Sequence, residues 1–425
     1  MIDQGFQKVY ALKGGLRAWL KAGYPVETKS VSIQKCVECH EAVNPRIVQD
    51  WKLSKHSQDI NDVSCSVCHG DAHMSADDVH KTEPVSPKVC RTCHEQQWSQ
   101  FSRGKHAKAW EAMRAMPTMH WQPMAMTTGM KGCGGCHKIG LKSEEQMAAL
   151  KQQGGGFGLA SCDACHTRHT FSVQEARQPQ ACRTCHTGFD HAQWEMYQGS
   201  KHGTRHELKQ LGILGENAAA PTCQSCHLPK GNHEVRTAWG FLGLRLPMPE
   251  DAEWAQARAS LFRALGLINE KGEPTARLSK VAELDFIRQS ESAWQKERET
   301  MISVCSQCHS ENFARGELRK GDEMIREADL VMAEAISLVA DLYDRGVLDK
   351  PKGYQEAYPD VLAFHDAPST IEQKLFRMFQ EYRMRSFQGV FHANPDYALW
   401  YGWSKMQQTL TEMKDLARHL SEKRQ

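Results

Sequence analysis

Eight copies of one short pattern account for every cysteine in the chain, which has 16 cysteines among 425 residues. Each copy places two cysteines three positions apart, with a histidine directly after the second. The copies, numbered one to eight in chain order, are Cys36/Cys39/His40, Cys65/Cys68/His69, Cys90/Cys93/His94, Cys133/Cys136/His137, Cys162/Cys165/His166, Cys182/Cys185/His186, Cys223/Cys226/His227 and Cys305/Cys308/His309. The fold must therefore accommodate eight groups, each made of two thiols and an imidazole, together with the ligand that each group binds.

This CxxCH pattern predicts a covalent c-type haem at each copy. The two thiols form thioether bonds to the porphyrin, and the adjacent histidine ligates the iron as the proximal ligand. Disulfide frameworks and zinc ribbons also use paired cysteines, but neither needs a histidine after every second cysteine. We therefore expect eight covalently bound c-type haems.

Composition agrees with a core that is partly porphyrin. Only 40% of the residues are hydrophobic and the mean hydropathy is −0.59, so side chains alone supply a modest core. The formal charge of +2 describes the polypeptide without its haems, whose propionates would move it toward acid. The charge gives no reason to expect nucleic-acid binding.

Covalent c-type haem indicates a periplasmic or otherwise extracytoplasmic protein. Residues 1–29 lack the basic and apolar regions of a signal peptide, so either the native start lies upstream or the export signal has been lost. No run of about 18 apolar residues predicts a membrane span.

Three segments are expected: 1–30, 31–240 and 241–425. In the first, a short strand over 8–12, paired glycines and an amphipathic helix resemble the C-terminal end of a rhodanese-like domain. Such a domain carries its catalytic cysteine upstream of this stretch, and no cysteine precedes Cys36. Sulfur transfer is therefore not expected, and residues 1–30 are interpreted as the remnant of a fused or truncated domain.

The other two segments predict a mainly α fold. Residues 31–240 hold seven motifs joined by short connections, which predicts a loop-rich multihaem cytochrome c region wrapped around its haems. Residues 241–425 predict amphipathic helices around 250–267 and 278–303, the second leading into motif eight, followed by a C-terminal bundle of long helices.

Caps and periodicity predict the three helices of that bundle. Asp322 is expected to cap the first, Ser369 and Glu372 form a capping box for the second, and Asn394-Pro395 opens the third. The residues expected to face inward are Ile325, Ala328, Met332, Ala335, Val339, Leu342, Leu375, Met378, Phe379, Tyr382, Met406, Leu410 and Met413.

Histidine counting separates haems that only carry electrons from a haem that reacts. Of the 21 histidines, eight are proximal ligands and 13 remain. A haem with histidine on both faces is closed, whereas an open face can bind substrate. The distal-ligand candidates, several of them in recurring Ser-Lys-His or Gly-Lys-His contexts, are His56, His73 or His80, His106, His120, His169, His202 and His233. These would close seven haems and leave one open.

The motifs together resemble the octahaem hydroxylamine oxidoreductases over residues 31–425. The resemblance lies in the spacing of the eight motifs, GCGGCH at motif four, CHTRH at Cys165 to His169, and CHTGFDH followed by SKHG between Cys185 and Gly203. Octahaem nitrite and tetrathionate reductases are disfavoured, because they use CxxCK at the catalytic haem and all eight motifs here end in histidine.

The resemblance implies that the haem on His137 is five-coordinate and catalytic, with Asp190 and His191 over its open face. The chemistry agrees, since redox conversion of a small nitrogen compound moves protons with electrons and needs an acid/base pair beside the iron. The alternative is that Asp190 caps a helix starting near Ala192 and that His191 ligates another haem.

In oxidative members of that family, a tyrosine from a neighbouring subunit of a homotrimer is bonded to the catalytic porphyrin. Tyr397 and Tyr401, four residues apart on one helical face, are the candidates, with Tyr397 favoured. Their alternative role is aromatic packing within the bundle.

These features predict an enzyme that oxidises hydroxylamine or hydrazine at haem four and passes electrons through seven bis-histidine haems to an external cytochrome. The alternatives are a reductive relative that converts nitrite or hydroxylamine to ammonium, and a cytochrome that only transfers electrons. The expected partners are thus a small nitrogen compound, a redox cytochrome and two further copies of the chain.

Overall fold

The computed structural model describes residues 33–58, 63–82, 85–115, 133–152, 161–237, 239–240, 242–287, 289–363 and 367–423. Within these ranges the backbone is helical or irregular, without β-strands, and has one isolated bridge between Ile268 and Pro274. The predicted mainly α fold is confirmed. The strand and helix predicted within residues 1–30 lie outside the described ranges. None of the helices described is long and apolar enough to span a bilayer.

The chain divides into two compact units, and the first consists of residues 1–85 with 166–172. This unit carries motifs one and two and the histidine of motif five. Its helices are α1 (Ile33–Val43), α2 (Pro45–Leu53), α3 (Lys55–Gln58) and α4 (Cys65–His69), with a 3₁₀ turn at Ala76–Lys81. The boundary expected near residue 240 stays a prediction.

The second unit comprises residues 86–165 and 173–425. Its motif-bearing part consists of short helices and turns, as the short connections predict. They are α5 (Pro87–Arg91), α6 (Glu95–Arg103), α7 (Ala109–Ala115), α8 (Gly134–His137), α9 (Glu144–Gln152), α10 (Val173–Ala176), α11 (Gln180–Arg183), α12 (Gln193–Gln198), α13 (Lys201–Gln210) and α14 (Cys223–His227), with 3₁₀ turns at His106–Lys108, Cys162–Ala164 and Pro229–Gly231.

The rest of the second unit is built from longer helices. They are α15 (Ala252–Ala264), α16 (Ala276–Glu283), α17 (Glu291–Cys305), α18 (Glu311–Asp344), α19 (Thr370–Arg377), α20 (Met384–Phe391), α21 (Pro395–Tyr397) and α22 (Ser404–Lys423). The helix predicted over 278–303 is wrong as one element, because α16 ends before Asp285, whose φ is +56°. Its second half, α17, does lead into motif eight as expected.

Helix α18 is longer than its sequence signals predicted. It begins after Ser310, whose hydroxyl accepts a hydrogen bond from the Phe313 amide, and it runs for 34 residues. The prediction that Asp322 caps this helix is wrong, because Asp322 lies inside it and accepts hydrogen bonds from Trp239 and Arg298. The predicted inward seam of α18 is confirmed, since all six of its residues are buried.

Two π-helical segments continue the C-terminal helices. Residues Met378–Arg383 join α19 to α20, and Ala398–Trp403 join α21 to α22. The predicted caps are confirmed, because Ser369 accepts from the Glu372 amide and Asn394 accepts from the Tyr397 amide. The bundle therefore presents two long, nearly continuous helices against α18.

A fully buried charge cluster ties these helices together. The Asp329 carboxylate of α18 accepts hydrogen bonds from Arg258 of α15 at 2.9 Å and from Arg383 at 2.6 Å. The Trp254 indole adds a third donor at 2.8 Å. All three charged side chains have no exposed surface, so the Asp329 carboxylate is the buried counter-charge of the two arginines, which also donate to the carbonyls of Gly243 and Leu242.

Candidate active site and histidine pairs

At motifs one, two, six, seven and eight, a pair of histidines has the separation expected of two imidazoles that bind one iron, and His191, described below, lies at a similar distance from two motif histidines. An imidazole nitrogen binds a metal at about 2 Å, so two trans rings with the metal between them have centroids roughly 6 Å apart. Each pair joins a motif histidine to a second histidine: His40 with His73 at 6.2 Å, His69 with His169 at 6.2 Å, His186 with His106 at 5.9 Å, His227 with His392 at 6.3 Å, and His309 with His202 at 6.1 Å.

Hydrogen bonds at the outer nitrogens of several of these rings fit haem ligation. A ligand histidine characteristically donates its other N–H to an oxygen, which leaves Nε2 unprotonated and turned toward the metal. The Nδ1 atoms with such oxygen partners are those of His73 on Asp78 at 3.0 Å, His186 on Gln193 at 3.2 Å, His227 on the Arg236 carbonyl at 3.5 Å, and His392 on the Gln388 carbonyl at 2.7 Å.

Burial keeps three of these imidazoles neutral. It lowers the pKa of His186 to about 3 and the pKa values of His106 and His392 to about 4. A neutral imidazole retains the lone pair that a metal ligand needs. Among the described residues, the 16 cysteines form no disulfide, and no cluster of three or more His, Cys, Asp or Glu could hold a bare ion. The residues present therefore fit c-type haem better than disulfides or zinc.

The structure places three of the predicted attachment cysteines at the surface rather than in the apolar core. Cys39, Cys93 and Cys308 are exposed, and each is the second cysteine of its motif. Cys68, the second cysteine of motif two, is half-buried, as are the other cysteines. Exposure is compatible with attachment, because a thioether needs a thiol that the porphyrin can reach. Haem attachment through each individual cysteine stays a prediction.

Motifs three, four and five are not represented among these five pairs, and motif four is described below. His94 of motif three is exposed and stands at the N-cap position of α6, where its carbonyl accepts from the Trp98 amide at 2.9 Å. His166 of motif five is half-buried and belongs to the first unit, whereas Cys162 and Cys165 of the same motif belong to the second. Five motifs thus have a second histidine ring about 6 Å from their own, and bis-histidine ligation stays a prediction for every motif.

The remaining distal-ligand candidates have other surroundings. Between the two alternatives left open by the sequence, His73 faces His40, whereas His80 is exposed. His56 packs edge-on against Phe171 at 5.1 Å. The backbone amide of His233 donates to Gln100. His120 lies outside the described residues.

His392 is the histidine that sequence reasoning missed. It follows α20 directly, is part-buried, and faces His227 of motif seven. It stands in none of the recurring contexts that singled out other candidates. The sequence signal that could have identified His392 was its position between two predicted helices, two residues before the Asn394 cap.

The predicted catalytic groups come together at motif four. The His191 ring lies perpendicular to the His137 ring with 6.4 Å between centroids, and His191 Nδ1 donates to Asp190 Oδ1 at 2.9 Å. His137 Nδ1 donates to the Ala109 carbonyl at 2.9 Å, which turns its Nε2 away from α7. The side chains of His191 and Asp190 are 27% and 33% exposed, so protons can pass between the pair and solvent.

The electrostatics keep Asp190 ionised beside His191. Burial opposes its charge, but the hydrogen bond and positive charge of His191 outweigh burial and hold the pKa of Asp190 below its ordinary value. Burial also lowers the pKa of His137. The pair is thus a carboxylate and an imidazole able to accept and return a proton.

The alternative cap role of Asp190 is not what the structure shows, since α12 has Ala192 at its N-cap position and no side-chain cap there. His191 also lies 6.0 Å from the ring of His186. His106 faces His186 at a similar distance, so two histidines adjoin that ring.

A tight loop presents the Asp190-His191 pair. Gly188 has a φ of +90°, which suits glycine, and its amide donates to Glu195 of α12 at 3.0 Å. Arg385 of α20 donates to the carbonyls of Gly188 and Phe189 at 3.2 and 3.4 Å. The C-terminal helices therefore hold the loop that carries the acid/base pair.

Thiol contacts within the second unit show which motifs are neighbours. Three pairs of cysteines from different motifs lie close to each other: Cys90 with Cys162, Cys136 with Cys185, and Cys182 with Cys223. Motif three therefore adjoins motif five, and motif six lies between motifs four and seven. Motifs four, six and seven therefore form a continuous row that begins at the Asp190-His191 pair.

The tyrosine candidates stack on each other. The rings of Tyr397 and Tyr401 are 4.8 Å apart, and Tyr401 is 52% exposed. Burial raises the pKa of Tyr397, which lies near Arg385, Glu195 and Glu381. Leu399 and Trp400 between them are also exposed, so this π-helical segment carries an apolar surface.

The chain matches the protein family described as "seven times multi-haem cytochrome CxxCH" over residues 34–255 and 277–355, more than half of its length. A curated protein of Kuenenia stuttgartiensis, named a probable nitrite reductase-hydroxylamine oxidoreductase fusion protein, is 26% identical. That match covers 91% of this chain but 51% of the relative, so the chain spans about half the length of that protein.

Two solved structures share the fold. One is from the reducing HAO-like protein complex of Kuenenia stuttgartiensis, with a TM-score of 0.69, 24% identity, and coverage of 96% of this chain and 91% of that one. The other, described as a hypothetical multiheme protein, has a TM-score of 0.66, 19% identity, and coverage of 99% and 100%. At these identities the similarity establishes the fold.

Proposed function

Because the chain belongs to the multihaem cytochrome CxxCH family, we propose that it is an octahaem oxidoreductase that oxidises hydroxylamine or hydrazine at motif four. The observation that carries this proposal is the Asp190-His191 pair held against His137. A hydroxylamine-type nitrogen gives up protons together with its electrons, and this pair can accept them.

The histidines divide into ligands and one acid/base group. In this proposal the residues that would hold haem iron in pairs are His40 with His73, His69 with His169, His186 with His106, His227 with His392, and His309 with His202. His137 would hold the haem at motif four, which would supply a binding site for the nitrogen compound and a carrier for its electrons.

Asp190 and His191 act on the protons of the substrate. His191 Nε2 accepts a proton from the bound nitrogen compound, and the Asp190 carboxylate on Nδ1 stabilises the resulting imidazolium. Their partial exposure lets the proton pass on to water. Asp190 also fixes the tautomer, since its hydrogen bond keeps the proton on Nδ1 and the lone pair on Nε2.

The protein would work outside the cytoplasm, as covalent haem attachment implies, and pass electrons to a cytochrome. A homotrimer is the proposed assembly, in which Tyr397 or Tyr401 of one subunit bonds to the porphyrin at motif four of the next. The exposed segment from Leu399 to Tyr401 supports this proposal, because it offers an apolar surface for a second copy.

Steady-state turnover of the purified holoprotein tests the function. Hydroxylamine with an artificial electron acceptor should be consumed rapidly, and Asp190→Asn should slow the reaction while leaving the haem content unchanged. Absence of turnover with both hydroxylamine and hydrazine would reject the oxidative assignment.

A second candidate is reduction of nitrite or hydroxylamine to ammonium. The names of two relatives support it in part, since one is a probable nitrite reductase-hydroxylamine oxidoreductase fusion protein and the other belongs to a reducing HAO-like protein complex. Rapid turnover of nitrite with reduced viologen, without hydroxylamine oxidation, would select this direction. Intact-mass analysis adds a second criterion, because a tyrosine-porphyrin bond is expected only in the oxidative enzyme.

A third candidate is a cytochrome that only transfers electrons. The 6.4 Å between the His137 and His191 rings is close to the separation of the other pairs, so His191 as a sixth ligand would close this haem. An EPR spectrum separates the two cases. A high-spin ferric component that responds to cyanide supports the enzyme, and its absence from the resting protein would establish the closed haem.

A further inference from the structure

A chain of two side-chain amides joins the histidine of motif six to the C-terminal bundle. His186 Nδ1 lies 3.2 Å from Gln193 Oε1. Gln193 Nε2 donates in turn to Gln388 Oε1 at 2.8 Å, across 195 residues of sequence. Gln388 is 6% exposed and lies on α20, so this contact is largely shielded from water.

The polarity of this chain has one consistent direction. If His186 gives Nε2 to an iron, its Nδ1 carries the proton and must donate. Gln193 must then turn its oxygen toward His186 and its NH₂ toward α20. The acceptor that makes this orientation favourable is Gln388 Oε1, which would repel the oxygen of a flipped Gln193.

We propose that Gln388 is a positioning residue that sets the midpoint potential of the haem at motif six by holding the Gln193 oxygen on His186 Nδ1. An acceptor on Nδ1–H makes the imidazole a stronger electron donor to iron. A stronger donor stabilises the oxidised haem and lowers its potential. The inference rests on the haem ligation within the proposed function, and it does not depend on the nitrogen substrate.

The place of motif six makes this potential consequential. Its cysteines contact those of motif four on one side and motif seven on the other. A haem at motif six would therefore lie next to motif four on a path toward motif seven. The hydrogen bond on His186 is a means to bias electron transfer along that path.

Gln388 also provides its own internal control. Its backbone carbonyl accepts from His392 Nδ1 at 2.7 Å, and His392 faces His227 of motif seven. A side-chain substitution removes the support of Gln193 but keeps the backbone carbonyl. The haem at motif six should respond, and the haem at motif seven should not.

The experiment is a spectroelectrochemical titration of the holoprotein without nitrogen substrate, comparing wild type with Gln388→Leu, Gln388→Glu and Gln193→Leu. Gln388→Leu should shift one low-spin component to a more positive potential. Gln193→Leu should shift the same component further, because it removes the acceptor itself. Gln388→Glu keeps an acceptor for Gln193 and adds a negative charge, so it should not give the positive shift of Gln388→Leu and should leave the component at or below its wild-type potential.

Gln408→Leu is the matched control, since Gln408 is an exposed glutamine of α22 whose amide donates to Glu412 on the same helix. It should leave every component in place. The proposal is overturned if Gln388→Leu leaves the component that Gln193→Leu shifts unmoved, or if it shifts several components together. The titration does not depend on turnover. A holoprotein that shows these shifts but fails the separate assay with hydroxylamine and hydrazine would contradict the proposed reaction and still support the role of Gln388.

Discussion

The imidazole of His191 is perpendicular to that of His137, with 6.4 Å between the ring centroids, and His191 Nδ1 donates to Asp190 Oδ1. The two histidines are 54 positions apart in sequence, and Arg385 of α20 fastens the loop that carries one of them. The acid/base pair is therefore positioned by the C-terminal bundle as well as by motif four.

Removing the proton acceptor should slow turnover without removing haem. We expect His191→Gln and Asp190→Asn to lower kcat by about 10²- to 10⁴-fold, the range typical of general acid–base groups. The check is steady-state kinetics together with haem content per chain. His419→Gln is the control, because His419 is 78% exposed and far along α22. Unchanged kcat in both site variants would remove the pair from the mechanism.

The Asp190 carboxylate should also stabilise the fold in a pH-dependent way. Its pKa is below the ordinary value, which for an unfolded aspartate is about 3.9. The folded state therefore binds its proton less tightly, and the stabilisation is present above that value and lost as pH falls through the lowered pKa. Unfolding midpoints of wild type and Asp190→Asn should differ at neutral pH and converge in acid. A difference that grows in acid would contradict this sign.

Replacing His392 should open the haem at motif seven. His392→Gly removes the ring that faces His227, so a low-spin ferric signal should be replaced by a high-spin one in the EPR spectrum. His233→Gly is the informative comparison, because the sequence placed His233 among the distal ligands. If His233→Gly opens the haem at motif seven and His392→Gly does not, the pairing described here is incorrect.

Local signals in the sequence predicted local structure well. The α18 seam is buried, and Ser369 and Asn394 cap the helices they were expected to cap, because each depends on residues within one or two turns. The prediction that α18 starts at Asp322 was wrong, because the Asp322 carboxylate accepts hydrogen bonds from Trp239 and Arg298. A side chain that caps in one setting pairs with a distant charge in another, and spacing does not distinguish the two.

The candidate site was predictable to the extent that its residues belong to motifs. CxxCH copies identify their own histidines, and Asp190-His191 follows one such copy within a few residues. His392 and Gln388 carry no local signature, since their roles come from a helix packing against a segment almost 200 residues away. Such contacts arise from tertiary packing and are absent from any short pattern.

Neutralising Asp329 should destabilise the bundle strongly. Asp329→Asn leaves Arg258 and Arg383 buried without their counter-charge, and breaking a buried pair costs about 3–5 kcal/mol. Chemical denaturation of the holoprotein measures the change. Glu299→Gln, which breaks an exposed pair with Arg315, is the control and should change stability little. Equal effects of the two variants would show that burial of the cluster adds nothing.

Two glycines of the same helix should respond oppositely to alanine. In α18, a Cβ at Gly321 would overlap the ring of Phe391, whereas a Cβ at Gly316 meets nothing within 4 Å. Gly316→Ala should therefore stabilise the protein by about 1 kcal/mol through helix propensity. Gly321→Ala should destabilise it by about 1–3 kcal/mol, as overpacking does.

Because Phe391 directly precedes His392, Gly321→Ala should also perturb the spectrum of the haem at motif seven, and Gly316→Ala should leave that spectrum unchanged. Stabilisation by both substitutions would show that Phe391 can move aside, so that α18 does not constrain the position of His392.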